Sequence, residues 1–200
     1  MWGNAGRQQR EKGRWTLWSE GAKGARSRKL REMIYVLYGQ PASGKTTLGE
    51  MLADHLETPF IIDGDEFREM FTNENYGKEG REENIRNANA VATYLNKKGA
   101  RDEWSCVYFK KTENFIQGRP VKDGTDVVLC LVNPYEELRE ELTKNNAGQV
   151  FSILLISGRQ LRREYHVEDF EKGSPTITLN TDRDPKKTFE SLINHIKELE

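Results

Sequence analysis

Eight consecutive residues, Gly39-Gln40-Pro41-Ala42-Ser43-Gly44-Lys45-Thr46, carry the clearest chemistry in the chain. Glycines at both ends of the bend let backbone N–H groups converge on an anion with no side chain intervening. Lys45 then supplies a point charge for β- and γ-phosphates, and the Thr46 hydroxyl can complete the shell of a Mg²⁺ ion. A helix that opens at this point adds the partial positive charge of its N-terminus. The residues expected to hold ATP are Gly39, Ala42, Ser43, Gly44, Lys45, Thr46 and Thr47, with Thr46 also on the metal. The apolar run Met33–Tyr38 precedes the motif, and Leu48, Met51, Leu52 and Leu56 follow it at helical spacing. A plain glycine-rich turn would explain neither flank.

A second group follows. Pro59-Phe60-Ile61-Ile62 reads as a short buried strand ending in Asp63-Gly64-Asp65. In open α/β sheets ligands bind beyond the carboxyl ends of the strands. A carboxylate there can take the proton of an attacking hydroxyl or hold a Mg²⁺-bound water. Asp63 and Lys45 are therefore the expected catalytic residues. The competing reading is that Asp63 and Asp65 merely cap a turn and the next helix. Arg68, Arg81 and Arg86 come next, among acids and asparagines. Helical arginines are usually solvated, but an acceptor carrying phosphate or sulfate needs such guanidinium forks.

These groups need a scaffold, and the pattern from Met33 onward supplies one. Short β-rich runs (Met33–Tyr38, Phe60–Ile62, Asp126–Val132, Val150–Ile156, Thr176–Leu179) alternate with helical segments (Lys45–Leu56, Glu82–Lys98, Tyr135–Lys144, Lys186–Leu199). This is the signature of an α/β fold with a parallel sheet. Asn133-Pro134-Tyr135-Glu136 reads as an N-cap with proline at the first helical position, and Asp184-Pro185 repeats the cap and proline. The segment between Gly99 and Asp126 is longer than the usual helix-to-strand connection of about 2–6 residues, so it reads as an insertion.

The chain of 200 residues suits one domain, with 36% hydrophobic and 32% charged residues typical of a soluble protein. No apolar run approaches the ~20 residues of a membrane span, and no signal peptide is legible. Cys106 and Cys130 read as free thiols of a reducing, cytoplasmic compartment. The formal charge of −1 conceals a basic arm, because residues 1–32 hold nine Lys/Arg against three acids. Trp2, Trp15 and Trp18 in that arm would suit a nucleic acid or membrane surface, but the simpler reading is a flexible leader without a nucleic-acid or membrane partner. The expected organisation is a basic tail over 1–30 and a domain over 31–200 with an insertion at about 100–125.

Four motifs in order (Gly39–Thr46, Asp63–Arg68, Arg81-Glu82-Glu83-Asn84-Ile85-Arg86 and Val132–Arg139) resemble the adenylylsulfate kinase (APS kinase) family. The resemblance covers Ile34 to about Leu199, apart from the insertion. It implies a P-loop kinase fold with a five-stranded parallel sheet in the order 2-3-1-4-5. It further implies transfer of the γ-phosphate of Mg-ATP to the 3′-hydroxyl of adenylyl sulfate, giving PAPS in cytoplasmic sulfate assimilation. By the same resemblance Asp63 accepts the hydroxyl proton. Asp65, Arg68, Arg81, Asn84, Ile85, Asn133 and Pro134 line the acceptor site, Tyr76 and Tyr165 stack on its adenine, and Arg162–Glu171 form a lid. A homodimer and a functional link to an ATP sulfurylase are compatible with it. Pro41 and Asn133 depart from the family's usual small hydroxyl residues, and the lid has no Lys-Gly-Leu-Tyr stretch. Two rival readings are a sugar-acid or antibiotic kinase and a nucleotide-binding module without turnover.

Overall fold

The computed structural model describes residues 32–98, 125–159 and 161–198. The expectations for the arm over 1–30 and, except for Thr125, for the insertion lie outside these residues. The core is a five-stranded parallel sheet of β1 (Ile34–Tyr38), β2 (Ile61–Asp63), β3 (Val127–Leu131), β4 (Val150–Ile156) and β5 (Ile177–Asn180). Its order is β2-β3-β1-β4-β5, as the sequence predicts. Every residue of β1 and β3 is buried, because central parallel strands are covered on both faces.

Helices α1 (Lys45–His55) and α5 (Pro185–Glu198) cover one face, where Leu48, Leu52, Leu192 and Ile196 pack on Tyr35, Leu37, Val128 and Ile153. Helices α3 (Lys78–Lys98) and α4 (Glu136–Asn145) cover the other, through Ala88, Ala92, Leu95 and Leu142 against Ile34, Val36 and Leu129. The alternation of inward side chains along each strand assigns these two clusters. Among the described residues no helix is long and apolar enough to cross a membrane.

Three local expectations are corrected. A short helix, α2 (Gly64–Met70), follows β2, started by Asp63, whose carboxylate accepts from Asp65 N at 3.0 Å. Helix α3 begins at Lys78 rather than Glu82, and Arg81 N already donates to Gly77 O at 3.0 Å. Asn133 does not cap α4. Its backbone lies at φ 40°, Pro134 stays outside the helix, and Tyr135 at the cap makes no side-chain bond. A distant carboxylate does the work instead, as Glu171 Oε2 accepts from Glu136 N at 2.5 Å. An acid at a helix N-terminus also complements the dipole. The Asp184-Pro185 start is as expected, with Lys186 N donating to Asp184 Oδ1 at 2.9 Å.

One glycine sets the approach of α1 to the sheet. A Cβ on Gly49 would lie 2.1 Å from Cys130 Sγ. In an exposed helix Gly→Ala stabilises by about 1 kcal/mol, but here overpacking dominates. Gly49→Ala is expected to lower stability by about 1–3 kcal/mol, and adding Cys130→Ala should recover most of it. Urea-unfolding midpoints of the two variants check this; a stabilised single variant would show that α1 does not press on β3.

Candidate functional site

The loop after β1 folds into a cradle for physical reasons that each residue shows. A Cβ on Gly39 would sit 2.4 Å from Leu155 O and 2.8 Å from Ser43 Oγ, so the chain can pass there only as glycine. Gly44 lies at φ 88°, a left-handed conformation that side chains disfavour. Ala42 tolerates φ 60° at a cost, the kind of strain that collects at ligand-holding loops. Thr181, just past β5, steadies the turn by donating its hydroxyl to Ser43 O at 2.9 Å.

Lys45 opens α1, with its Nζ donating to Gly39 O at 3.1 Å, to Gln40 O at 2.8 Å and to Ser43 Oγ at 3.4 Å. Burial pushes its pKa down from 10.5 to about 8, against the pull of Cys130, Asp63 and Asp65. Thr46 and Thr47 are exposed on the first turn.

Thr46 Oγ1 donates to Asp63 Oδ2 at 2.6 Å. The carboxylate at the end of β2 thus faces the first turn of α1, although β3 lies between β2 and β1. Its other oxygen starts α2, as the capping reading expects. Asp65, next on α2, is exposed.

Beyond Asp63 in the chain, α2 and α3 bring several of the expected acceptor residues together. Burial and the Asp169 carboxylate push the Tyr135 pKa up while the Arg81 guanidinium pulls it down, and Lys78 Nζ lies 5.6 Å from the Tyr135 ring centre. Ile85 packs with Tyr135 and Leu138. Asn84 donates to Gly64 O at 3.3 Å, but its Oδ1 is buried without a hydrogen-bond partner among the described residues. Asn133 is 1% exposed, and neither its Oδ1 nor its Nδ2 has such a partner. Arg139 Nη1 holds its main-chain carbonyl at 2.6 Å.

Arg68 is placed differently. Its Nη1 donates to Asn73 O, Asn73 Oδ1 and Asn75 O at 3.3, 3.2 and 2.9 Å, and its guanidinium lies 4.7 Å from the Tyr76 ring centre. Burial lowers its pKa, and Arg81 adds repulsion. Arg68 therefore knits the loop that carries Tyr76. Tyr76 is 64% exposed, and Tyr165, in a 3₁₀ turn (Arg163–Tyr165), is 62% exposed.

Sequence reasoning missed a cavity beside the cradle, lined by Gly44, Thr47, Leu48, Arg159, Thr181 and Pro185. Arg159 Nη2 donates to Thr181 O, and its Nε stands 3.7 Å from Asp182 Oδ1. Bonds from Gly158 N and the Ser157 hydroxyl hold the Asp182 carboxyl below its usual range. The signal for it, Asp184-Pro185 directly after the last strand, reads by itself only as a helix start.

A family model described as an AAA domain matches residues 38–152. No curated protein matches the chain in sequence. Among solved structures, the Mycobacterium tuberculosis APS kinase in complex with AMPPNP and APS has a TM-score of 0.62 at 17% identity, over 84% of this chain and 98% of that one. A gluconokinase from Sinorhizobium meliloti scores 0.55 at 14% identity, over 86% and 95%. Shikimate kinase from Aquifex aeolicus scores 0.50 at 13%, over 83% and 97%. The chain shares the fold of these P-loop kinases.

The Lys45 ammonium gives a pH signature. Between about 8 and 10.5 the native chain binds fewer protons at Lys45 than the unfolded chain does. Burial of this cation therefore costs stability below about 8, and the cost fades as pH rises through that window. A phosphate held against Nζ restores protonation, so binding takes up a proton above about 8 and affinity falls with pH there. Calorimetric titration with ATP in buffers of different ionisation enthalpy should show proton uptake at pH 9 and almost none at pH 7. Lys45→Met should lose the difference; equal uptake at both pH values in the wild type would contradict the assignment.

Proposed function

The chain belongs to the AAA domain family, and we propose that within it this protein is a small-molecule kinase that moves the γ-phosphate of ATP to the 3′-hydroxyl of adenylyl sulfate, giving PAPS. The observation that carries this reading is the 2.6 Å bond from Thr46 to Asp63, which ties a carboxylate at the end of β2 to the first turn of the helix that follows the phosphate cradle. A phosphoryl donor held on one side and an anionic acceptor on the other would meet at Asp63.

The cradle from Gly39 to Thr46 holds the phosphates through backbone N–H groups, and Lys45 turns its ammonium to the β- and γ-oxygens. The cavity between Arg159 and Pro185 takes the base. The Thr46 hydroxyl is a hard oxygen donor of the kind Mg²⁺ takes together with phosphate and water, and the Asp63 carboxylate beside it favours a cation there, so the residues present fit this ion. When bound, Mg²⁺ neutralises charge on the transferring phosphoryl group. Asp63 accepts the proton of the acceptor hydroxyl, and positioning supplies most of the remaining catalysis.

Support for an anionic, hydrogen-bonding acceptor comes from the residues around Arg81. Enclosed amide atoms without partners, as on Asn84 and Asn133, are costly unless something matches them. An acceptor with donor and acceptor edges would do so, while Arg81 takes its charge. Tyr76, braced by Arg68, and Tyr165 offer aromatic faces for a base.

Incubation with Mg-ATP and, separately, adenylyl sulfate, gluconate and shikimate tests the acceptor. PAPS should appear by chromatography, with ADP formation specific to adenylyl sulfate. ADP formed with gluconate or shikimate alone would overturn the reading. Asp63→Asn should lower kcat by roughly 10²–10⁴-fold with little change in KM, as for a lost general base. Arg81→Ala should raise the KM for adenylyl sulfate and leave that for ATP nearly unchanged. If Arg81→Ala disturbs only ATP, the acceptor side is misassigned.

A further inference from the structure

One side chain joins the phosphate loop to the connection between β4 and β5. Gln40 Nε2 donates to Val167 O at 2.8 Å, and Gln40 Oε1 accepts from Val167 N at 2.9 Å. The amide therefore pairs with a backbone unit as a neighbouring strand would. The main-chain carbonyl of the same residue accepts from Lys45 Nζ at 2.8 Å. Gln40 thus touches the phosphate-reading ammonium through its backbone and the connection through its side chain.

Past Val167 the connection is fastened again. Phe170 stacks on Tyr38 with ring centres 6.3 Å apart, and the Tyr38 hydroxyl donates to Lys172 O at 2.6 Å. Arg139 Nη2 donates to Glu171 O at 2.7 Å. Before Val167 lies a short arm, residues 161–166, with Leu161 and Tyr165 exposed. Its last residue, His166, has an enclosed Nε2 with no hydrogen-bond partner among the described residues. Enclosed polar atoms are normally matched, so a ring nitrogen left this way, one residue before the backbone unit that Gln40 holds, points to a ligand oxygen.

We propose that Gln40 is a positioning residue that holds Val167 against the phosphate loop and so delivers His166 Nε2 as a hydrogen-bond donor to the phosphates bound there. His166 adjoins the clasped residue, so its Cα lies about 3.8 Å from that of Val167. An imidazole whose Nε2 carries the proton donates to a phosphate oxygen in its neutral or its cationic form. The length of the side chain matters: leucine at this position offers neither bond, and glutamate keeps only an acceptor for Val167 N while opposing Val167 O. This inference rests on residues 39–46 being the ATP site.

The test uses the full chain, ¹⁵N-labelled, with Mg·AMPPNP as probe. Histidine ring nitrogens are followed by NMR, His166→Phe assigning the signal among the three histidines, and Val167 amide exchange is measured without nucleotide. In the wild type, Val167 should exchange slowly and the His166 Nε2 resonance should shift on saturation. Gln40→Leu should still bind Mg·AMPPNP within about tenfold, yet lose both the Val167 protection and the His166 shift. Gln40→Glu should retain part of the protection. Protection and shift both kept in Gln40→Leu, or no His166 shift in a wild type that binds the probe, would overturn the proposal. A wild type that fails to bind Mg·AMPPNP would overturn the ATP reading instead, and Val167 exchange would still decide the clasp.

Discussion

The hydrogen bond between Thr46 and Asp63 is the contact around which the site is arranged, and the sheet makes it possible. Asp63 ends β2, which pairs with β3 and not with β1, and the register sets Asp63 opposite Cys130. Helix α1 must therefore cross β3 closely enough for its first turn to reach β2. Gly49 permits that approach, since any side chain there would meet Cys130 Sγ. Cys130 in turn donates from Sγ to Lys45 O at 3.4 Å, and burial pushes its thiol far above the ordinary range, so it serves as a small packing group. A glycine, a thiol and a strand register thus bring a hydroxyl and a carboxylate to one point.

The two sides of that point have different electrostatics. On the cradle side one ammonium is enclosed by carbonyls and partly desolvated, so phosphate oxygens gain a charge that water does not screen well. On the other side Arg81, Arg68 and Lys78 crowd together around Tyr76 and Tyr135. Arg68 offsets that crowding with loop carbonyls. The β4–β5 connection is tied to Gln40 at Val167 and to α4 at Glu171, and the second tie replaces a local cap with a long-range one.

Much of this was legible in the residues. The glycine-rich loop, its strand and helix, the parallel sheet and its order follow from periodicity, local chemistry and the resemblance to a kinase family. Asp63 was legible as the acid that ends β2, whereas its bond to Thr46 depends on how closely α1 crosses the sheet. What escaped were features decided by tertiary contact. Asn133 has the type and spacing of an N-cap, yet Glu171, distant in sequence, takes that role. That Arg68 also holds the carbonyls of Asn73 and Asn75 is not readable from its type and spacing. Arg159 and Gln40 carry no local signal, because each matters through partners distant in sequence, Thr181 and Asp182 for the one and Val167 for the other.

The central claim is that the Thr46–Asp63 pair is where metal-bound phosphate meets the phosphoryl acceptor. Its most direct test is calorimetric titration of ATP with and without Mg²⁺, in the wild type, Thr46→Ser and Thr46→Val. The account predicts that Mg²⁺ strengthens binding in the wild type and in Thr46→Ser. In Thr46→Val metal-free affinity should be kept and the Mg²⁺ effect lost. A full Mg²⁺ effect in Thr46→Val would contradict it.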